Sequence, residues 1–282
     1  TSVNVAATQK KEIPTMNMST VEVLLADVRS NDPAKQVNAL IELIKLHADS
    51  VILELVPLLS SADASVRAEA ARALGYMGSA HHEQIGPALL QAINDPEELV
   101  RGEIVEALGE LAYVPAVEPL KVLLHTDPGW LVRASAAEAL GNFADQTLLA
   151  DLEQALRDQE EPVAAYAASS LGLIATPNYL PTLEALIARE KTPAIKRKLV
   201  EASYRLGGKE SLQQLLDFLQ TGDEDSASHL LTSIEFLTEQ KPPASLRADA
   251  PRLREALNAL AQRFPLWQAH VAEILEKLAK LE

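Results

Sequence analysis

The sequence predicts an all-α protein, an α-solenoid (superhelix) of about eight helix pairs. Three observations carry this. One ten-residue phrase recurs along the chain, its apolar residues keep a helical spacing, and a short turn bearing aspartate precedes each of the first five copies. The phrase reads V-R-A-E-A-A-R-A-L-G from Val66 to Gly75, V-R-G-E-I-V-E-A-L-G from Val100 to Gly109 and V-R-A-S-A-A-E-A-L-G from Val132 to Gly141. A degraded copy, V-A-A-Y-A-A-S-S-L-G, runs from Val163 to Gly172, and looser copies start at Val37, Ile195 and Ala227. Successive starts lie 29, 34, 32, 31, 32 and 32 residues apart. A period of about 32 is the size of one helix pair in a stacked array.

Each phrase is the second helix (B) of a pair. Its apolar residues fall at i, i+4, i+7 and i+8, for example Val66, Ala70, Ala73 and Leu74, which is one face of a helix rather than the alternation of a strand. The turns before it are Asp32-Pro33, Asp63, Asp95-Pro96, Asp127-Pro128 and Asp158. Aspartate accepts from the first free N–H groups of a helix, and proline fits its first turn. The first helices (A) are the amphipathic stretches 51–59, 84–93, 148–156 and 180–187. A last, atypical pair at 249–282 is expected as a C-terminal cap, with a helix from Pro251 to Phe264, a restart at Pro265 and a final helix over 266–281. The segment 238–248, with Pro242-Pro243, is the expected irregular connection. Residues 1–18 are polar and aperiodic and read as a flexible N-terminal tail, leaving 19–282 as a single solenoid domain.

Composition narrows the function classes. The 282 residues carry 25 Lys plus Arg against 40 Asp plus Glu, a formal charge of −15, with 48% apolar residues, 4% aromatics, 11 Gly and no Cys. The apolar content is too high for a disordered chain. Without cysteine there is no disulfide framework, thiolate metal site or cysteine nucleophile. No apolar run reaches the roughly 18 to 20 residues of a membrane span. An acidic chain lacks the clustered Lys and Arg of a nucleic-acid groove. A cytoplasmic location fits this composition.

The string D-x-x-x-x-V-R-x-x-A-A-x-A-L-G resembles the HEAT repeat, and more narrowly the HEAT-like repeat grouped with phycobilisome lyases. The resemblance covers about 19–236. It implies that the B helices line a concave surface and that Asp95, Asp127 and Asp158 form a ladder with Arg67, Arg101 and Arg133. The ladder is expected to weaken beyond the fourth copy, where Ala164 and then Lys196 replace Arg and Glu190 stands for Asp.

On the B helices, positions i+2, i+6 and i+9 are expected to face away from the apolar stripe. The i+6 residue of the first copy is the apolar Leu43, so the exposed row starts at the second and reads Arg72, Glu106, Glu138, Ser169, Glu201 and Ser233. The i+9 row reads Gly75, Gly109, Gly141, Gly172, Tyr204 and Phe236. Its glycines either let neighbouring B helices pack closely or form a bare groove floor. Tyr204 and Phe236, with Tyr166 nearby, would make the C-terminal end of the trough aromatic, or pack under the 238–248 connection. Asn94 to Glu161 holds 15 acidic and 4 basic residues, whereas Arg189 to Glu210 holds 7 basic and 3 acidic. Glu103 joins Glu106 and Glu138 in the acidic stretch, a field able to steer a basic partner. Trp130 sits at a turn, as a staple or as an exposed hot spot on the ridge; Trp267 reads as core.

No catalytic constellation stands out. None of His47, His81, His82, His125, His229 and His270 pairs with another at i+3 or i+4, so no metal is expected. HEAT-repeat hydroxylases use several His-Glu pairs, and here one occurs, His82-Glu83. The leading reading is a non-enzymatic scaffold without cofactor (an adaptor, assembly factor or inhibitor), monomeric when free. It would bind a basic protein or helix, and neither nucleic acid nor membrane, through Arg72, Glu103, Glu106, Glu138, Tyr166, Ser169, Glu201, Tyr204 and Phe236. The alternative that the resemblance implies is a bilin lyase or phycobiliprotein-handling factor, with Lys198 and Arg205 the local candidates for two propionates. A HEAT-like DNA glycosylase would need a basic concave face instead.

Overall fold

The computed structural model describes residues 18–239, 243 and 245–281. Residues 1–17 of the expected tail lie outside the described residues, as do 240–242 and 244 of the expected connection. Among the described residues there are helices and no strands, and the helices pair off eight times. They divide into two compact units, one ending at Tyr113 and the other starting at Val114.

The first unit holds three pairs: α1 (Met18–Val28) with α2 (Pro33–Lys45), a 3-10 helix (Asp49–Ser60) with α3 (Ala64–Met77), and α4 (His82–Ala92) with α5 (Glu98–Glu110). The B helices α2, α3 and α5 pack in a row, and the 3-10 helix packs on α4 in the row of A helices. The stretch 51–59 is helical as expected, but wound as 3-10. Pro57 inside it has no N–H for an i−4 bond, and Ile52, Leu55 and Leu59 face the core.

The second unit holds five pairs: α6 (Val117–Thr126) with α7 (Trp130–Gly141), α8 (Leu149–Ala155) with α9 (Glu161–Ile174), α10 (Leu180–Arg189) with α11 (Pro193–Arg205), α12 (Ser211–Thr221) with α13 (Glu224–Glu239), and α14 (Leu246–Arg263) with α15 (Gln268–Leu281). The row of B helices runs α7, α9, α11, α13. Helix α14 begins five residues before the expected Pro251, because the extra turn buries Leu246 and Ala250. Thr238 belongs to α13, which shortens the connection at its other end. Trp267 lies in a short 3-10 turn, half-buried rather than in the core.

Aspartates and arginines at the turns lock pair to pair. Asp63 accepts from the N–H groups of Ser65 and Val66, Asp95 from Glu97, Asp127 from Gly129 and Asp158 from Glu160. Arg67 donates from Nη1 to the Ser61 carbonyl at 2.9 Å in the turn before its own helix. It forks from Nε and Nη2 onto Asp95 of the next turn at 2.7 and 2.9 Å. Arg133 does the same with the Asp127 carbonyl at 3.0 Å and Asp158 at 2.8 and 3.0 Å. Burial alone would raise the Asp95 carboxyl, yet the Arg67 fork and the Glu97 N–H hold it below the usual range. Beyond these rungs Ala164 offers no donor, and Glu190 spends its carboxylate on the N–H groups of Lys191 and Thr192. Arg197, one residue after the position expected for a rung, is held below its ordinary value by burial, with Glu161 and Asp223 opposing.

Arg67→Ala removes a partly buried charged fork and leaves Asp95 without it. We expect a loss of about 2 kcal/mol in urea unfolding. Arg72→Ala, an exposed change on the same helix, should cost about 0.5 kcal/mol or less.

Candidate interaction surface

The exposed stripe of the B helices follows from how closely they approach. In the first unit α3 lies against α5 with Gly75 at the contact: a Cβ there would sit 2.7 Å from Ala107 Cα. Ala68 and Gly102, at i+2, are buried in the same row. In the second unit a Cβ on Gly141 would sit 2.6 Å from Ser170 Oγ, and one on Gly172 would sit 2.8 Å from Ala202 Cβ. Gly75, Gly141 and Gly172 therefore serve helix packing rather than a bare groove floor.

With i+2 and i+9 used for packing, the outward positions are i+3, i+6 and i+10, a shift from the expected set. On α3 they are Glu69, Arg72 and Tyr76; on α5 they are Glu103, Glu106 and Glu110. Arg72, Tyr76, Glu106 and Glu110 are exposed, while Glu69 and Glu103 are part-buried. Glu69, Tyr76 and Glu110 were outside the expected site. Reading the i+9 glycines as packing positions would have shifted the stripe onto them. In the first copy Leu43 is fully buried on α2, so this stripe does not extend to it.

Four carboxylates share this face with one guanidinium. Arg72 Nη2 donates to Glu69 Oε2. Burial, then the neighbouring Glu106, pushes the Glu103 carboxyl up to about 7; Arg72 opposes the shift, and Glu69 and Glu110 add to it. Burial and Glu106 raise Glu110 as well. The Tyr76 ring lies 5.4 Å from that of His47 at an interplanar angle of 32°.

In the second unit Glu138 is exposed on α7, Tyr166 is 41% exposed on α9 and Ser169 is part-buried. The expected surface stops there. Glu201 is 3% exposed and Tyr204 2%, and Ser233 is also buried. Tyr204 donates its hydroxyl to Asp249 Oδ2 on α14 at 2.8 Å, so the last pair covers it. Burial raises the tyrosine hydroxyl far above its usual value, with a Ser245 hydrogen bond opposing and Asp249 adding. Glu201 accepts from Lys198 Nζ at 3.4 Å and lies 3.6 Å from Arg205 Nη2. Lys198 also donates to Ser233 Oγ at 3.1 Å, and the Arg205 guanidinium sits 4.6 Å over the part-buried Phe236 ring. The end expected to be an open aromatic trough is a packed polar network, and the two candidate propionate partners are both committed to Glu201. Trp130 starts α7 and is 45% exposed, which places it on the turn edge rather than under it.

Among the described residues no group of three or more His, Asp or Glu is placed to hold a metal ion. His82 Nε2 lies 3.3 Å from Glu83 Oε1. No described helix is long and apolar enough to cross a membrane.

Comparison with known proteins agrees with the repeat. A family model for HEAT repeats matches residues 52–141, 86–164 and 149–235. No curated protein matches the sequence. Among solved structures, the complex of CpcE and CpcF of phycocyanin lyase from Nostoc sp. PCC7120 is similar with a TM-score of 0.56 at 19% identity, over 81% of this chain and 93% of that one. YibA of E. coli is similar with a TM-score of 0.52 at 15% identity, over 98% of this chain and 99% of that one. Identities this low make these likenesses of fold.

Glu103 has a folded pKa raised above its ordinary 4.5 to about 7. The folded state therefore holds an extra proton between those values, and stability present below the window is lost as pH rises through it. We expect Glu103→Gln to match the parent in urea unfolding at pH 4. At pH 8 it should be more stable by about 1 kcal/mol, less than 1.36 kcal/mol per pKa unit implies, because solvent reaches the cluster.

Proposed function

The chain belongs to the HEAT-repeat family, and from that premise we propose that it is a non-enzymatic protein-binding scaffold whose partner is a basic protein or helix. Stacked helix pairs offer a preformed surface, so little ordering entropy is lost when a partner docks. The observation that carries the reading is the recurrence of exposed carboxylates at one repeat position, Glu106 in the first unit and Glu138 in the second, within a stretch of 15 acidic and 4 basic residues. A field of one sign speeds encounter with an oppositely charged partner and disfavours others. Tyr166 and Trp130 supply exposed aromatic area of the kind that anchors interfaces. Glu201 and Tyr204 are left out of the proposed surface, since both are buried.

A second reading, a bilin lyase, draws on the fold likeness to the phycocyanin lyase complex. The engagement of Lys198 and Arg205 with Glu201 counts against a propionate site there. Mixing the protein with a linear tetrapyrrole tests it, and an unchanged absorbance spectrum rejects it.

The scaffold reading is tested with a fluorescent lysine-rich helical peptide followed by anisotropy. Affinity should fall about tenfold or more between 50 and 200 mM salt. Glu106→Lys with Glu138→Lys should abolish most of the remainder, with the helical circular dichroism unchanged. Binding indifferent to both salt and the double substitution would remove the charge-steered mechanism.

A further inference from the structure

The exposed stripe of the first unit contains one aromatic residue among its charged ones. Tyr76 occupies on α3 the position that Glu110 occupies on α5, and it is 53% exposed. A tyrosine ring left half in water at the end of a helix is a poor contribution to the core, so its placement invites a role outside it.

Its surroundings are specific. Helix α2 ends with the His47 N–H donating to the Ile44 carbonyl at 3.0 Å and the Ala48 N–H to the Leu43 carbonyl at 3.1 Å. This closure puts His47 at φ +48°, a left-handed conformation that suits glycine. The same corner after α5 carries Ala112, with φ +46°. In the second unit it carries Ala144 and Gly207. At the first corner the chain instead places a ring there, and that ring lies 5.4 Å from Tyr76. The ring beside Tyr76 is thus carried by a residue whose backbone is closed by these two hydrogen bonds.

The acidic side is also built. The Glu110 carboxylate lies over Gly75, the residue before Tyr76, in space that any side chain at 75 would take. Glu103 and Glu106 continue the stripe along α5, whereas Arg72, the cation of the stripe on α3, is bonded to Glu69. A ring with an exposed face beside carboxylates attracts a cation twice, through the π quadrupole and through charge.

We propose that Tyr76, braced by His47 and flanked by Glu110, is the anchor for an arginine or lysine side chain of the partner, which lies over the ring with its charge turned to the carboxylates of α5. This rests on the reading above that the row of B helices binds a cationic protein, and it names where that protein is gripped. The occupant is argued from charge complementarity: the face is aromatic at one end and acidic along its length, so a cationic segment matches it in sign where an acidic one would be repelled.

The test uses the full chain and an octa-arginine peptide, followed by anisotropy at 50 mM salt. Tyr76→Ala should weaken binding about five- to tenfold, and Tyr76→Phe, which keeps the π face, should stay within about twofold of the parent. Glu110→Gln should weaken binding about threefold, whereas Glu83→Gln, the same change of charge on α4, should leave it within about twofold. Tyr76→Ala binding as the parent does, while salt and the Glu106→Lys, Glu138→Lys pair still weaken it, would overturn the anchor and leave the scaffold reading standing. Failure of the parent chain to bind the peptide at all would overturn both.

Discussion

The close approach of neighbouring B helices governs everything else in each unit. Gly75, Gly141 and Gly172 sit where a Cβ would collide with the next helix, so the backbones can draw together only because those side chains are missing. Once that contact is fixed, rotation of each B helix about its axis is fixed too. The rotation decides which residues meet water. It places Glu106 and Glu138 outward, and it turns i+2 and i+9 into interior positions.

Much of the architecture was legible because the repeat writes it several times over. The phrase at Val66, Val100 and Val132 states helix, turn and spacing independently; Asp63 caps its helix as expected, while Asp95 and Asp127 each bind the N–H two residues on, in the turn that leads into the helix. The candidate surface was legible by half. Arg72, Glu106 and Glu138 emerge where periodicity puts them. Glu69, Tyr76 and Glu110 were missed because a stripe read from one helix does not know which flank its neighbour will occupy. The flanking positions move by one residue, from i+2 and i+9 to i+3 and i+10, while i+6 stays outward, and glycine was the clue to it.

Tyr204, Glu201 and Ser233 fail for another reason. Periodicity within a repeat cannot register that α14 comes back over α11 and α12, and it is that docking which seals Tyr204 under Asp249. The polar residues there form a closed set, with Glu201 serving two cations and Arg205 resting on Phe236. A buried carboxylate is tolerable only with such partners. The basic stretch from Arg189 to Glu210 is therefore partly spent inside the protein, and the sequence count of charges overstates what the surface presents.

The arginine rungs have an evolutionary corollary. Arg67 and Arg133 each read only two things, the turn before their own helix and the aspartate of the hairpin that follows. A hairpin carrying both halves of that code can be duplicated or excised without rewriting distant residues, so gene length can change in steps of one module. A hairpin that has lost its half, as with Ala164, is no longer interchangeable with its siblings and is free to specialise.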